Sequence, residues 1–256
     1  MLQIKRMKLL PILLLSLFLV TSCAEKQETV TAQSIVDQAI ESACNGKCDH
    51  VKIDFTFRDR CYVSSRIKDR FQLERITADS TGVIHDYLNN SGFTRFVNDS
   101  LIQVPDSMAT KYANSINSVH YFAQLPFGLN DAAVKKELLG DATINGKNYF
   151  EVGVTFMEEG GGTDFQDKFV YWIQKDDFTV DYLAYSYETD GGGIRFREAY
   201  NERWVDGIRF VDYNNYKPES LDVELTSLDK LFQKGALKLL SKIETESVGV
   251  ALPELQ

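Results

Sequence analysis

Apolar side chains at every second position constrain the fold of this chain most strongly. From His50 the sequence reads HVKIDFTFRDRCYVSSRIKDRFQLERI, with Val51, Ile53, Phe55 and Phe57 at alternate positions. A period of two places alternate side chains on one face of a β-strand, and short charged segments between such runs are typical of hairpin turns. Comparable runs continue along the chain, separated by turn residues at 89–92, 98–99, 145–146, 175–177 and 206–207. The sequence therefore predicts about ten antiparallel strands.

Helical spacing interrupts this pattern. Residues 32–43 form an amphipathic pattern, and residues 107–127 carry Met108, Tyr112, Ser115 and Val119 at helical intervals. Shorter helices are predicted at 132–139 and 227–232, and a final strand at about 237–246. We expect a mainly β (α+β) fold. Its large curved antiparallel sheet, or incomplete barrel, has an N-terminal helix, and inserted helices plug its concave face. No linker or fixed repeat divides residues 32–256, which predicts a single domain.

The N-terminal segment predicts export. Lys5, Arg6 and Lys8 precede the uncharged residues 9–20, a run too short to span a bilayer and typical of a signal peptide. The tetrapeptide Val20–Cys23 resembles the bacterial lipoprotein signal, which implies cleavage after residue 22 and acylation of Cys23. The alternative is simple secretion, with an unrelated cysteine at the cleavage site. We expect residues 1–22 to be removed and residues 23–31 to form a tether. The anchor then holds the protein in the cell envelope, at the outer membrane, with the periplasmic or surface face left open.

Three further cysteines fit an oxidising compartment. Cys44 and Cys48 bracket an Asn-Gly turn, which suits a small disulfide loop, and Cys61 is then spare or pairs with one of the two instead. A zinc site would need a fourth ligand, for which only His50 lies nearby. The spacing of the common redox motif is missing. We therefore predict no metal.

Charge and glycine motifs exclude several partners and cofactors. Without residues 1–22 the chain has 25 basic and 37 acidic residues, a net charge of −12, which disfavours nucleic acid and adsorption to anionic lipid. The two glycine triplets, in segments 158–164 and 190–195, are followed by no phosphate-binding lysine and serine or threonine. They predict hairpin loops with positive φ, and calcium binding by the adjacent acidic residues is the alternative. We predict no cofactor.

Aromatic and basic residues in three segments are the candidates for ligand binding. Strand alternation places Arg195 and Arg197 on one side, where they form cross-strand ion pairs or, if that side faces a cavity, bind an anionic head group. The tyrosines of strand 181–188 and of the strand after residue 207 either pack across the sheet or line a groove for lipid or glycan. Residues 118–122 lie where the chain re-enters the sheet, above the expected cavity mouth. The candidate residues are His120, Tyr121, Phe122, Tyr185, Tyr187, Arg195, Arg197 and Tyr213.

The histidines give little indication of catalysis. His50, His85 and His120 are dispersed, and neither a nucleophile–base–acid set nor a Gly-x-Ser-x-Gly elbow can be assembled around them. We predict no catalytic residue and no enzyme activity. A carboxylate-based hydrolase assisted by His120 remains the alternative.

Several motifs resemble an uncharacterised family of Gram-negative envelope lipoproteins. They are SVHYFAQLPF (118–127), LND (129–131), EEGGGTD (158–164), YW (171–172), DYLAY (181–185), GGIRFREAYN (192–201) and GIRFVDY (207–213). More remotely, the order of a leading helix, a strand meander, a helical plug and more strands is similar to the lipoprotein carriers LolA and LolB. That likeness implies an incomplete antiparallel barrel closed by helices over an apolar cavity for acyl chains.

Two functions are therefore weighed for the folded domain. The first is binding of a lipid or another hydrophobic molecule in the cavity, without catalysis, by a protein held to the membrane through its N-terminal lipid. The second is a structural or interaction lipoprotein whose sheet is packed shut and presents its Tyr and Arg strands to a protein or glycan partner. The sequence leaves the oligomeric state open.

Overall fold

The computed structural model of the chain describes residues 30–80 and 82–253. The predicted signal segment, Cys23 and most of the predicted tether lie outside the described residues. None of the described helices combines the length and the hydropathy that a bilayer crossing requires.

Sheet A contains seven antiparallel strands in the order β14-β1-β2-β3-β4-β5-β6. Strands β1 to β6 follow one another along the chain as a meander of hairpins, as the alternation of apolar residues predicts. Their bounds are β1 His50–Phe57, β2 Arg60–Ile67, β3 Arg70–Asp79, β4 Gly82–Asn89, β5 Gly92–Val97 and β6 Ser100–Ile102. The seventh strand, β14 at Glu246–Ala251, comes from the C-terminal end and pairs with β1.

Sheet B also contains seven antiparallel strands, in the order β13-β12-β11-β10-β9-β8-β7. Six are consecutive along the chain, and the predicted turns at 145–146, 175–177 and 206–207 connect pairs of them. Their bounds are β7 Val134–Ile144, β8 Lys147–Phe156, β9 Lys168–Gln174, β10 Val180–Tyr187, β11 Gly193–Val205 and β12 Ile208–Lys217. The last strand of the sheet is β13, Lys238–Ile243.

The two sheets meet along one pair of edges. Edge strands β13 and β14 are separated by only two residues, so the chain passes directly from sheet B to sheet A at that seam. The opposite edges are β6 and β7, and between them the chain forms the long helix α2, Asp106–Ala123. The prediction of open antiparallel strands with inserted helices is confirmed, and the strands are divided between two sheets.

Helix α1, Ala32–Cys44, begins at a capping box, in which Thr31 and Ser34 exchange hydrogen bonds between side chain and backbone. Its residues Ile35, Val36 and Ala39 are buried against one face of sheet B, together with Val152, Tyr171 and Leu183. We call this face, which packs against α1 and α2, the inner face of sheet B. The amphipathic pattern predicted for residues 32–43 is confirmed.

The outer face of sheet B is also covered. Trp172 and Phe196 are fully buried there, and the short helix α3, Leu228–Gln233, lies over them with Leu228 and Phe232. Because both faces are buried, strand β9 is apolar almost throughout (KFVYWIQ) rather than alternating.

Helix α2 closes the space between the sheets. Its residues Ile116 and His120 are buried, and Val119 and Ala123 pack against the core of sheet A formed by Val51, Ile53, Phe55 and Tyr62. Tyr121 and Phe122, which lie between Val119 and Ala123 in sequence, instead contact the inner face of sheet B. The helix therefore presents different residues to the two sheets.

Two predicted elements differ from the structure. The predicted helix at 132–139 is wrong, because Val134–Ile144 pairs with β8 as strand β7. Leu138 and Leu139 fit a helical pattern, but they lie exposed on this edge strand, and backbone pairing with β8 overrides the local pattern. The single strand expected at 237–246 is divided into β13 and β14, which belong to different sheets.

The cysteine loop lies at the end of α1. Cys44 and Cys48 form a disulfide, and Cys61 is a free thiol. Between the bridged cysteines, Asn45 adopts a left-handed conformation with φ of 49° and ends the helix. The disulfide packs with Ile208 and Phe210 of β12 and so fixes the end of α1 against sheet B.

Candidate ligand-binding cleft

A cleft of about 750 Å³ lies between α2 and the inner face of sheet B. Six of the eight residues predicted from sequence line it, two from each of three elements. They are Tyr121 and Phe122 of α2, Tyr185 and Tyr187 of β10, and Arg195 and Arg197 of β11. The β10–β11 register places Tyr185 opposite Arg195 and Leu183 opposite Arg197, which brings the predicted tyrosine and arginine faces together.

Aromatic rings form one wall of the cleft. Phe169 of β9 stacks on Tyr185 with ring centroids 5.2 Å apart, and Phe122 lies 5.3 Å from Tyr185. Phe156 meets Phe169 edge to face at 5.8 Å. This wall offers apolar surface in the form of rigid rings, whose burial by a ligand is favourable.

Arg197 lies at the bottom of this wall and is 7% exposed. Its Nη2 donates to the hydroxyl of Tyr185 at 2.8 Å, and its guanidinium carbon lies 3.7 Å from the centroid of the Phe122 ring. Its Nε and Nη1 have no hydrogen-bond partner among the described residues. The site therefore holds a buried positive charge with free donor groups.

Arg195 is next to Arg197 on the same face of β11. Its Nη1 donates to the carbonyl oxygen of Ile194, and its Nη2 donates to the hydroxyl of Tyr187. A Cβ atom at Gly193 would lie 2.6 Å from that hydroxyl, so the glycine leaves room for the pair. Within the described residues, neither arginine forms a salt bridge.

The rim of the cleft is polar and includes the first glycine loop. The loop between β8 and β9 contributes Gly161, Asp164 and Asp167, and α2 contributes a polar stripe from Lys111 to Ser118. Asp164 accepts a hydrogen bond from Thr189 of the second glycine loop. Both triplets include residues with positive φ, as predicted, namely Gly160, Gly162, Gly191 and Gly192.

Asp167 has an unusual environment on this rim. Burial, together with the negative charges of Asp164 and Glu188, raises its pKa to about 6. Three carboxylates are thus grouped at the mouth, away from any salt bridge with Arg195 or Arg197. No group of three or more His, Cys, Asp or Glu side chains within the described residues is arranged to hold a metal ion.

His120 does not line the cleft, because it is on the side of α2 that faces sheet A. Its Nε2 donates to the carbonyl oxygen of Glu74 at 3.1 Å, and its Nδ1 accepts from Gln124 at 3.2 Å. Burial and the nearby charge of Arg66 lower its pKa to about 4, although the hydrogen bond to the Glu74 carbonyl acts in the opposite direction. The ring packs against Phe55 and Tyr62, so His120 holds α2 against sheet A.

Tyr213 lies behind the cleft rather than in its lining. It is 3% exposed, opposite Ala199 in the β11–β12 register, and its ring lies 5.9 Å from the guanidinium carbon of Arg197. Burial raises its pKa to about 12. Tyr213 therefore supports Arg197 from below.

Sequence reasoning missed two aromatic residues of the wall, Phe156 and Phe169. The missing signal was the register between strands. Val154 pairs with Phe169, and Phe169 pairs with Tyr185, so all three side chains share the inner face. Alternation within β9 could not reveal this, because nearly every residue of that strand is buried.

Three solved structures are similar to this chain in backbone. A LolA superfamily protein from Nitrosomonas europaea has a TM-score of 0.49 and 14% identity, covering 89% of this chain and 96% of that one. A DUF1329 family protein from Desulfovibrio piger has a TM-score of 0.44 and 12% identity, covering 86% and 93%. A putative outer membrane lipoprotein-sorting protein domain from Vibrio parahaemolyticus has a TM-score of 0.42 and 10% identity, covering 79% and 99%. At these values the likeness supports no statement about ligand or partner.

Sequence comparison is more direct. No curated protein matches the chain. The motifs from residue 118 to residue 213 resemble a family without assigned activity, and a family match agrees with that resemblance. Residues 8–245 match the model of a family of unknown function, DUF6503, and the chain belongs to that family.

Proposed function

We propose that this chain is an envelope lipoprotein, attached to a membrane through acylated Cys23, that binds a lipid or another hydrophobic molecule in the cleft between α2 and sheet B. The binding involves no catalysis. The single observation that carries the proposal is the cleft of about 750 Å³ with its aromatic wall. Ligand pockets are typically about 300 to 1,000 Å³, mostly apolar, with a few placed polar groups.

The competing functions have less support. A structural or interaction lipoprotein with a closed sheet would leave little internal space, and a cleft of this size counts against it. A carboxylate hydrolase would draw on His120, but that side chain is 1% exposed and bonded to Glu74 and Gln124. Binding without chemistry remains the function that the geometry supports best.

The proposal is tested by filling the cleft. Ser118 is exposed on the cleft side of α2, and Ser118→Trp would place an indole in the space meant for the ligand. Ser107→Trp is the matched control, because it makes the same change at an exposed position of the same helix outside the cleft.

Native mass spectrometry of the Cys23→Ser protein measures retained and exchangeable ligands. We expect a bound hydrophobic molecule on the parent protein and on Ser107→Trp. On Ser118→Trp the occupancy should fall at least about tenfold, because the indole fills the cleft and excludes the ligand sterically. Absence of any bound or exchangeable lipid on the parent protein, after incubation with a fluorescent fatty acid, would refute the proposal.

A further inference from the structure

We propose that Arg197, assisted by Arg195, is the binding site for an anionic group on the ligand. The ligand is then an amphiphile with a carboxylate or phosphate head rather than a neutral lipid. This inference rests on the proposed function, since it specifies the class of molecule that the same cleft accepts.

The buried arginines within the described residues show why Arg197 stands apart. Three arginines are buried, namely Arg75, Arg197 and Arg209, with exposures of 6%, 7% and 6%. Arg75 is paired with Asp86 at 2.7 Å, and Arg209 is paired with Glu202 at 2.7 Å. Arg197 forms no salt bridge within the described residues, although a buried charge is normally paired.

Arg197 has N–H donors that are free to bind an acceptor on the ligand. Its Nε and Nη1 lack partners, and leaving buried donors unsatisfied is unfavourable unless a ligand accepts from them. A carboxylate or phosphate oxygen accepts strongly from a charged guanidinium N–H, and Nε and Nη1 offer such hydrogens on two different edges of the group. The cleft reaches Arg197, so an anion can enter where the structure provides the donors.

The surrounding aromatic rings hold the guanidinium in place. Its central carbon lies 3.7 Å from the Phe122 ring centroid and 5.2 Å from that of Tyr185, distances that favour cation–π contact. Arg197 is therefore oriented before a ligand arrives, which reduces the entropy lost on binding.

Two phenols add further donors. Tyr185 accepts from Arg197, and Tyr187 accepts from Arg195, so each hydroxyl retains its own hydrogen for donation. Both side chains line the cleft beside the arginines. The head of the ligand would meet guanidinium and phenol donors, while its chain would lie along Phe156 and Phe169.

The charge on the rim agrees with a deep rather than a superficial anion site. Asp164 and Asp167 lie on the loop at the mouth and would repel an anion held there. The positive groups of β11 attract it further in. An amphiphile therefore enters with its head toward Arg197.

The test compares amphiphiles that differ only in their heads. Isothermal titration of the Cys23→Ser protein measures the affinity for dodecanoate, dodecyl phosphate and neutral monolaurin. We expect at least one anion to bind about tenfold or more tightly than monolaurin. Preference for dodecanoate points to a fatty-acid source and preference for dodecyl phosphate to a phospholipid source, and both results support the site.

Variants locate the head group. Arg197→Met should weaken binding of the preferred anion about tenfold or more and change monolaurin binding less than about threefold. Arg197→Lys keeps the charge and should restore part of the affinity. Arg60→Gln, at an exposed arginine at the start of β2, is the control and should change neither.

Thermal stability without ligand distinguishes a ligand-binding role of Arg197 from a purely structural role. Without ligand, Arg197→Met should melt no lower than the parent, because it removes an unpaired buried charge. Equal affinity of the parent for anionic and neutral amphiphiles would overturn the anion site and leave the proposed function standing. If none of the three amphiphiles binds the parent protein, both the anion site and the proposed function are overturned. These measurements on the parent protein do not depend on whether a variant folds.

Discussion

At the scale of single residues, His120 is held neutral by two partners of opposite kind. The Glu74 carbonyl requires a hydrogen on Nε2, and the Gln124 amide requires a lone pair on Nδ1. A second proton would face the Gln124 donor in a buried site. Burial is the main cause of the low pKa of His120, about 4, because the charged ring would lose its hydration, and the positive charge of Arg66 lowers the pKa as well.

The pKa of His120 predicts a loss of stability in acid. The unfolded chain binds a proton on this histidine below about pH 6.5 and the folded chain does so only near pH 4, so stability is complete above pH 6.5 and is lost as pH falls toward 4. The loss is on the order of 3 kcal/mol at pH 4. Urea unfolding of the parent and of His120→Gln at pH 7.5 and 4.5 measures it. Equal pH dependence in both proteins would contradict this account.

Asp167 predicts the opposite dependence on pH. Its folded pKa of about 6 exceeds the ordinary aspartate pKa of 3.8, so the folded state binds the proton more tightly and stability falls as pH rises between those values. Asp167→Asn should raise the free energy of unfolding at pH 7.5 by about 1 kcal/mol, since solvent screens this partly exposed group.

Chemical denaturation at pH 7.5 and at pH 4 measures the Asp167 effect. The gain should be present at the higher pH and nearly absent at the lower. Asp222→Asn, in an exposed loop, should change stability at neither pH. A gain of equal size at both pH values would show that charge is not its cause.

His120 and Tyr121 are adjacent in sequence but face different sheets. Neighbouring residues of a helix point about 100° apart, so His120 reaches sheet A while Tyr121 contacts Tyr171 of sheet B, with the two hydroxyls 2.6 Å apart. The apolar spacing of residues 107–127 predicts a helix, but both sides of α2 carry aromatic or apolar residues. The pattern alone could not assign either side to the cleft.

At the scale of elements, Asp86 joins three strands and helix α2. It accepts from Arg75 of β3 and from Arg95 of β5, with its own side chain 2% exposed. Arg75 also donates to Ser115 of α2, and Arg95 lies 3.8 Å from the ring centroid of Tyr112. The network fixes the first half of α2 on sheet A.

Removing the charge of Asp86 should be strongly destabilising. Asp86→Asn leaves two arginines without their shared carboxylate, and breaking a buried pair costs about 3 to 5 kcal/mol. Asp59→Asn is the control, because Asp59 is 78% exposed and lies 3.7 Å from Arg60. Its effect should stay below about 1 kcal/mol. Thermal unfolding of both variants tests the comparison, and similar losses would contradict it.

Local patterns predict the elements better than they predict their partners. Alternation identifies β1 and β2 because each strand buries one face, and Asn-Gly or Asp-Gly pairs identify turns because they adopt positive φ. The strand at 134–144 was missed because its identity depends on pairing with β8. The division into two sheets likewise depends on contacts distant in sequence.

For the candidate site residues too, local patterns predict the position on a strand but not the contacts. Arg195 and Arg197 are correctly placed on one side by alternation, while their lack of carboxylate partners could be read only from the three-dimensional neighbours. Arg203 of the same strand does pair, with Asp212, after a bulge near Asn201. Composition of the strand could not separate these two outcomes.

At the scale of the whole molecule, the proposed anchor is close in sequence to helix α1, which packs on the same face of sheet B as the cleft. Helix α1 begins at Ala32 and packs on the inner face of sheet B. The proposed tether, residues 23–31, would extend at most about 30 Å. A protein held this way would keep its folded domain near the bilayer that supplies its ligand.

The anchor predicts how the protein partitions between fractions. The protein with Cys23 intact should incorporate labelled palmitate and sediment with membranes, because several acyl chains give an effectively permanent attachment. Cys23→Ser should remain in the soluble fraction without label, while Cys61→Ser, which alters the free thiol of the folded domain, should behave like the parent. Equal sedimentation of the Cys23→Ser form would remove the lipoprotein assignment.

The most direct test of the central claim is a crystal structure of the Cys23→Ser protein with the tightest-binding anionic amphiphile. The account predicts an acyl chain along Phe156 and Phe169, with a head-group oxygen about 3 Å from Nε or Nη1 of Arg197. A cleft that stays empty at saturating concentration, or an amphiphile bound elsewhere on the surface, would contradict it.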